Sequence, residues 1–122
     1  MFHVKQFTSK TQKIGEIGEN EAVIFLEKQG FILLKRNVSN KFGEIDIIAK
    51  KNNIHYFFEV KTGYKEGFVN PAENLTKNKL RKFFKSVEYY NFVENIKDYR
   101  VQALIVTFDR EGSVTCETLD IN

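Results

Sequence analysis

Three residues on two neighbouring apolar stretches could do chemistry together: Asp46 in Gly43-Glu44-Ile45-Asp46-Ile47-Ile48, and Glu59 and Lys61 in Tyr56-Phe57-Phe58-Glu59-Val60-Lys61. Their spacing matters because Asn52-Asn53 lies between the two stretches. Asparagine tolerates positive φ, so this pair suits a two-residue hairpin turn. Such a turn sets Lys51 opposite Ile54, and every pair of position numbers then sums to 105. Ile48 faces Phe57, Asp46 faces Glu59 and Glu44 faces Lys61 in that register. Directly opposed side chains share a face and lie roughly 4.5–5.5 Å apart at Cβ. Two opposed carboxylates repel unless a cation sits between them. A divalent metal with oxygen ligands is one such cation, and Lys61 is another.

A surface salt-bridge cluster is the competing account of such a trio, and exposed pairs of that kind contribute little to stability. Apolar residues on both faces of the strands argue against it. Ile45, Ile47, Phe58 and Val60 fall on one face, Ile48 and Phe57 on the other. Strands of this kind are covered on both sides. The charges are then expected at the end of a covered sheet, where an ionised group needs a partner or a purpose.

The elements that must position these residues follow from periodicity. A helix is expected from Thr11, a candidate N-cap, to about Gln29, with Ile14, Ile17, Ala22, Phe25 and Leu26 as its apolar stripe. Gly30 followed by Phe31 reads as a C′ glycine with a hydrophobic contact after it. Gly15 and Gly18 weaken the helix by about 1 kcal/mol each relative to alanine, which suggests close backbone approach or a frayed first turn. Strands are expected over Phe31–Asn37, Glu44–Lys50 and Ile54–Lys61, followed by a loop over residues 62–70 carrying Tyr64, Lys65 and Phe68. Asn70-Pro71 with Glu73 reads as a helix start, Thr76 as a restart, and the helix runs to about Phe92 with Leu80, Phe83, Phe84 and Val87 inward. Arg100–Phe108 and Val114–Leu119 are the last strands. Three strands with short links suggest an antiparallel meander, and the strand-helix-strand unit after them suggests a parallel crossover. The expected fold is a single α/β domain over residues 1–122, with residues 1–10 a loose lead-in and a helix on each face of a mixed five-stranded sheet.

At 122 residues the chain is long enough for a real core, and 12 phenylalanines without tryptophan supply its bulk. No apolar run is long enough to span a membrane, and the N-terminus lacks the long apolar stretch of a signal peptide. The single cysteine, Cys116, excludes an internal disulfide and fits a reducing cytoplasm. It alternates with Val114 and Thr118, as a small core or edge residue would. His3 and His55 show no metal-ligand spacing. Net charge is +3, but residues 77–100 hold seven basic and three acidic side chains, whereas residues 101–122 hold one basic and four acidic. The positive excess therefore concentrates on the second helix.

These residues together resemble the PD-(D/E)XK nuclease superfamily, and within it the small bacterial YraN-like family, related to archaeal Holliday-junction resolvases. The matching segments are Gly15-x-x-Gly18-Glu19-x-x-Ala22, Gly30-Phe31, Arg36-Asn37, Gly43 to Ala49, Phe58-Glu59-Val60-Lys61-Thr62, and Pro71 with Lys79 downstream. Ile45 stands where the superfamily has proline before the aspartate, and Ser39 and Gln102 replace residues usual in the family. The resemblance implies a restriction-endonuclease-like three-layer α/β/α sandwich. It also implies a metal-dependent endonuclease acting on phosphodiesters of structured or branched DNA. Magnesium is the expected ion, with manganese as the alternative, because only hard oxygen donors are offered. Asp46 and Glu59 would be direct ligands, with the Val60 carbonyl as a third. Lys61 would orient or deprotonate water or stabilise developing charge. Glu19 resembles the helix acid of the resolvase branch, with a solvated helix face as the other account. Glu44 is most simply a partner for Lys61.

Lys77, Lys79, Arg81, Lys82 and Lys85 place five basic residues in nine positions, suited to phosphate contact. Lys79 matches the family position, and Lys65 stands beside the site. Two other functions compete with nuclease activity. One is a nucleic-acid-binding module with the nuclease fold and little or no cleavage. The other is a protein-interaction adaptor, as a homodimer like the resolvase relatives.

Overall fold

The computed structural model describes residues 10–66 and 75–121, with side chains from residue 13 onward. Its elements run α1 (Lys10–Lys28), β1 (Ile32–Asn40), β2 (Gly43–Lys51), β3 (Ile54–Tyr64), α2 (Lys77–Glu94), β4 (Tyr99–Phe108) and β5 (Val114–Asp120). The five strands form one sheet in chain order. β1, β2 and β3 are an antiparallel meander, β3 and β4 are parallel, and β4 and β5 are antiparallel. The sheet is therefore mixed, and the order helix, three strands, helix, two strands is the one expected.

Local chemistry explains the boundaries. Gly30 takes φ +93° and the Phe31 N–H donates to the Leu26 carbonyl, so α1 ends in the glycine cap that was expected. Asn52 and Asn53 adopt φ of 52° and 64°, which closes the β2–β3 hairpin in the left-handed turn the pair favours. Thr76 caps α2 by accepting a hydrogen bond from the Lys79 backbone N–H at 3.2 Å. The expected helix start at Asn70-Pro71-Glu73, the Thr11 side chain, Gly67, Phe68 and the lead-in over residues 1–9 lie outside the described residues. β3 is longer than expected. Residues 62–64 continue the strand instead of opening a loop, because β4 pairs with them as far as Tyr64 opposite Phe108.

Two apolar layers cover the sheet. On one side Ala22 and Leu26 of α1 pack with Ile47, Ala49, Phe58, Leu104 and Val106. On the other, Phe83 and Val87 of α2 pack with Ile45, Ile48, Phe57 and Val101. Both faces of the central strands are thus covered, as their composition required. The α1 stripe differs from the expected one: Ile17 is 50% exposed. The line against the sheet passes through Gly18 instead, which abuts the Thr62 side chain on β3. No helix of the described residues is long and apolar enough to cross a membrane.

Candidate functional site

The hairpin register predicted from Asn52-Asn53 holds for five pairs, from Lys51 opposite Ile54 to Ile47 opposite Phe58. It then stops. Continued, it would set Val60 opposite Ile45. Instead the Val60 N–H donates to Asp46 Oδ2 at 2.8 Å. A side-chain carboxylate has taken the place of a backbone carbonyl. Asp46 and Glu59 are therefore not a paired cross-strand couple, as the extrapolated register implied; they stand where β2 and β3 have ceased to pair.

The cause lies in β1 and β2. Ile45 and Ile47 were expected on one face, yet Ile47 packs in the α1 layer and Ile45 in the α2 layer. Strict alternation has slipped once between them, at Asp46. β1 bends in register with this, since Asn37 takes φ 53° between Arg36, opposite Ile47, and Val38, opposite Ile45. The slip turns Asp46 and Glu44 into a cleft under α1 without exposing either isoleucine. The cleft, of about 1220 Å³, has room for a nucleotide and not only for an ion, and Glu19, Arg36, Val60, Lys61 and Tyr64 also line it.

Burial, then the nearby Glu59 charge, push the Asp46 carboxyl up to about 7, against a smaller lowering by the Val60 N–H. Glu19 and Glu44 add to the upward push. Glu59 is also raised above the usual carboxylate range by burial, and Lys61 and Lys79 partly oppose this. Two half-buried carboxyls that resist ionisation within electrostatic reach of each other form a site that gains from a cation. Lys61 Nζ lies 3.4 Å from Glu59 Oε1. Lys61 is thus paired with Glu59 and not with Glu44, which instead accepts from the Ser39 hydroxyl at 3.5 Å.

Glu19 sits at the α1 wall of the cleft. Its Oε1 accepts from Arg36 Nε at 3.0 Å and from Asn37 Nδ2 at 3.1 Å, and Arg36 also donates to Asn20 Oδ1 at 2.8 Å. It is a fastened carboxylate, not a solvated helix face. Arg36 and Asn37 bring α1 and β1 together, a role that periodicity did not reveal. An Arg-Asn pair inside an apolar strand is the sequence signal that could have done so.

Magnesium fits the donors by type: two hard carboxylates, and the Val60 carbonyl on the same side of its strand as the N–H that Asp46 binds. Among the described residues, no three His, Cys, Asp or Glu side chains converge closely enough to hold a metal alone. Asp46 and Glu59 would therefore leave coordination positions for water or substrate, as magnesium commonly requires.

The basic residues of α2 are all exposed but divide between two sides. Lys79 lies within electrostatic reach of Glu59. Lys77, Arg81 and Lys85 instead surround a shallow groove floored by Leu80 and Phe84. Lys65 continues from the end of β3, its exposed side chain beside a backbone N–H that donates to the Phe108 carbonyl at 2.7 Å. Cys116 packs against the α1-side layer, and burial raises its thiol, which suits the inert role expected.

The profile of the uncharacterised protein family UPF0102 matches residues 18–109. A UPF0102 protein of Campylobacter jejuni strain 81-176 is 43% identical over 96 residues, covering 78% of this chain and 84% of the relative. One from Sulfurovum sp. strain NBC37-1 is 44% identical over 107 residues, covering 86% and 93%. One from Clostridium perfringens strain 13 is 38% identical over 91 residues, covering 75% of each. The matched region contains the cleft residues from Glu19 to Tyr64, and the chain belongs to the UPF0102 family.

Proposed function

We propose that this protein is a cytoplasmic, metal-dependent endonuclease of the PD-(D/E)XK type that hydrolyses phosphodiesters in structured or branched DNA. The observation that carries the reading is the interrupted ladder. Asp46 and Glu59 are brought together at its end, both resisting ionisation, with Lys61 against Glu59. Asp46, Glu59 and the Val60 carbonyl would hold magnesium or manganese. The ion, when bound, neutralises charge on phosphoryl oxygens and makes water more acidic. The Val60 N–H fixes the Asp46 carboxylate, so its other oxygen is presented in one orientation. Lys61, 3.4 Å from Glu59 Oε1, would orient the attacking water or stabilise developing charge. Glu19, held by Arg36 and Asn37, closes the far wall. Lys79 and Lys82, supported by Lys77, Arg81 and Lys65, would meet phosphates that the carboxylates alone would repel.

One observation favours the second reading, a nucleic-acid-binding module with the same fold and little cleavage. Lys61 already has Glu59 as its partner, and among the described residues no third carboxylate joins the pair closely enough to complete a metal cage.

Titration of magnesium and manganese against nicked, single-stranded, duplex and four-way-junction DNA decides between them. Cleavage should depend on metal and fall at least about a hundredfold in Asp46→Asn and in Glu59→Ala, each still folded. A variant that cuts at the wild-type rate removes the assigned site. Salt-sensitive binding by a wild type that never cuts supports the binding module.

A further inference from the structure

One side of α2 changes character along its length. At 3.6 residues per turn, Lys79 stands one turn before the buried Phe83, Lys82 lies on the flank beside it, and Tyr89, Phe92 and Val93 follow from that flank to the outer side. The last three are exposed: Phe92 by 85%, Val93 by 56% and Tyr89 by 36%. The β1–β2 turn adds Phe42, 38% exposed, whose ring centroid stands 5.6 Å from that of Tyr89 at 62°. Lys41 Nζ lies 5.3 Å from the Phe42 centroid and 5.1 Å from the Tyr89 centroid.

This turn is fastened in place. Asn40 Nδ2 donates to the Ser86 carbonyl at 3.0 Å, and Asn40 Oδ1 accepts from the Phe42 N–H at 3.0 Å. Gly43 sits so close to α2 that a Cβ there would come 2.9 Å from Ser86 Oγ. Two aromatic faces and a cation are thereby held on a rigid support. The platform is also near the cleft. Phe42 precedes Asp46 by four residues, at most about 13 Å of extended chain, and Lys79 acts on Glu59 from the same helix.

We propose that Phe42 and Tyr89 form a stacking site for an unpaired base. The phosphates of the same strand would run past Lys41, Lys82 and Lys79 to the carboxylates. Aromatic side chains bind bases by their π-faces, which a stacked duplex hides, and cations beside them hold the backbone. The substrate class is therefore nucleic acid with a single-stranded segment within a few nucleotides of the phosphate under attack. This rests on the nucleic-acid reading of the cleft and narrows it from branched DNA in general to junctions between paired and unpaired strands.

The test measures binding, with calcium replacing magnesium. Blunt DNA duplexes are compared with duplexes carrying a tail of DNA or RNA that contains 2-aminopurine. Wild-type protein should bind a tailed duplex at least roughly tenfold more tightly than a blunt one and quench the probe. Phe42→Leu/Tyr89→Leu, which keeps apolar volume but removes both π-faces, should lose preference and quenching while holding blunt duplex within about twofold. The melting temperature of this variant, checked first, should match wild type. Equal wild-type affinity for blunt and tailed duplexes overturns the proposal, as does a preference that survives in the variant. A variant that changes the sedimentation of the free protein but keeps the tail preference assigns the patch to a second copy, which also overturns it. Tail preference without any cleavage in magnesium leaves this site standing and removes the nuclease reading. Equal binding and cutting of blunt and tailed substrates does the reverse.

Discussion

Asp46 concentrates the chemistry of the cleft in one titration. Its carboxyl is raised to about 7, chiefly by burial and then by Glu59. Below pH 4 it carries a proton in both folded and unfolded chains and costs nothing. Between pH 4 and 7 the unfolded chain releases the proton first, so stability falls as pH rises; above 7 the loss is complete. It amounts to about 4 kcal/mol at most, because Asp46 keeps some contact with solvent. Asp46→Asn should therefore match wild type at pH 4 and exceed it at pH 8 in urea unfolding. Magnesium should raise the melting temperature of wild type at pH 8 and leave Asp46→Asn unmoved; an equal rise in both would place the ion elsewhere. The approach of Asp46 to Glu59 was legible because the register set by Asn52-Asn53 runs as far as Ile47 opposite Phe58, the residues next to them. The Asp46 to Val60 hydrogen bond was not legible. It depends on the slip in alternation between Ile45 and Ile47, which Asn37 on another strand accompanies, and no period within one strand contains that information.

At the scale of the element, α1 shows how close contact overrides hydrophobicity. Periodicity placed Ile17 in the buried stripe, yet the helix turns Gly18, Ala22 and Leu26 toward the sheet. A glycine next to Thr62 lets the backbone approach β3, and the larger Ile17 is left outside. Gly15, by contrast, meets nothing within 4 Å. The two glycines thus predict opposite outcomes. Gly18→Ala should destabilise by about 1–3 kcal/mol, since β-branched Thr62 has little room to yield. Thr62→Ala in the same chain should return part of that loss. Gly15→Ala should stabilise by up to about 1 kcal/mol. Chemical denaturation of the three variants checks all three expectations, and a neutral Gly18→Ala would mean that α1 sits farther from β3. Caps and turns at Gly30 and Asn52-Asn53 were readable because their chemistry is local. The end of β3 was not, since residues 62–64 are strand only because β4 lies beside them.

Over the whole molecule, a net charge of +3 understates the local field. The fold separates Lys79, near the carboxylates, from Lys77, Arg81 and Lys85 around the Leu80–Phe84 groove. Composition could locate the basic excess on α2 but could not divide it, because the division depends on where the helix lies against β2. Lys79→Ala/Lys82→Ala should therefore reduce the slope of log affinity for duplex DNA against log salt by about 2. Lys77→Ala/Arg81→Ala should change it less. Equal effects of the two pairs would spread the contact around the helix. The overall architecture was the most readable level of all: strand count, helix order and the mixed sheet follow from short links, one crossover and strands apolar on both faces.

The strands lie side by side in the order in which the chain is made, and this bears on synthesis. Glu19, Arg36, Asp46, Glu59 and Lys61 all emerge from the ribosome before α2 does. Their meander closes through short local contacts, the kind that form early. At that moment Ile45, Ile48 and Phe57 have no α2 above them, and the inner edge of β3 has no β4 beside it. A nascent chain that has emerged only as far as Tyr64 would thus carry every charged group of the cleft on a sheet with one bare apolar face. Such a chain is a natural client for a chaperone until the crossover helix is translated and docks.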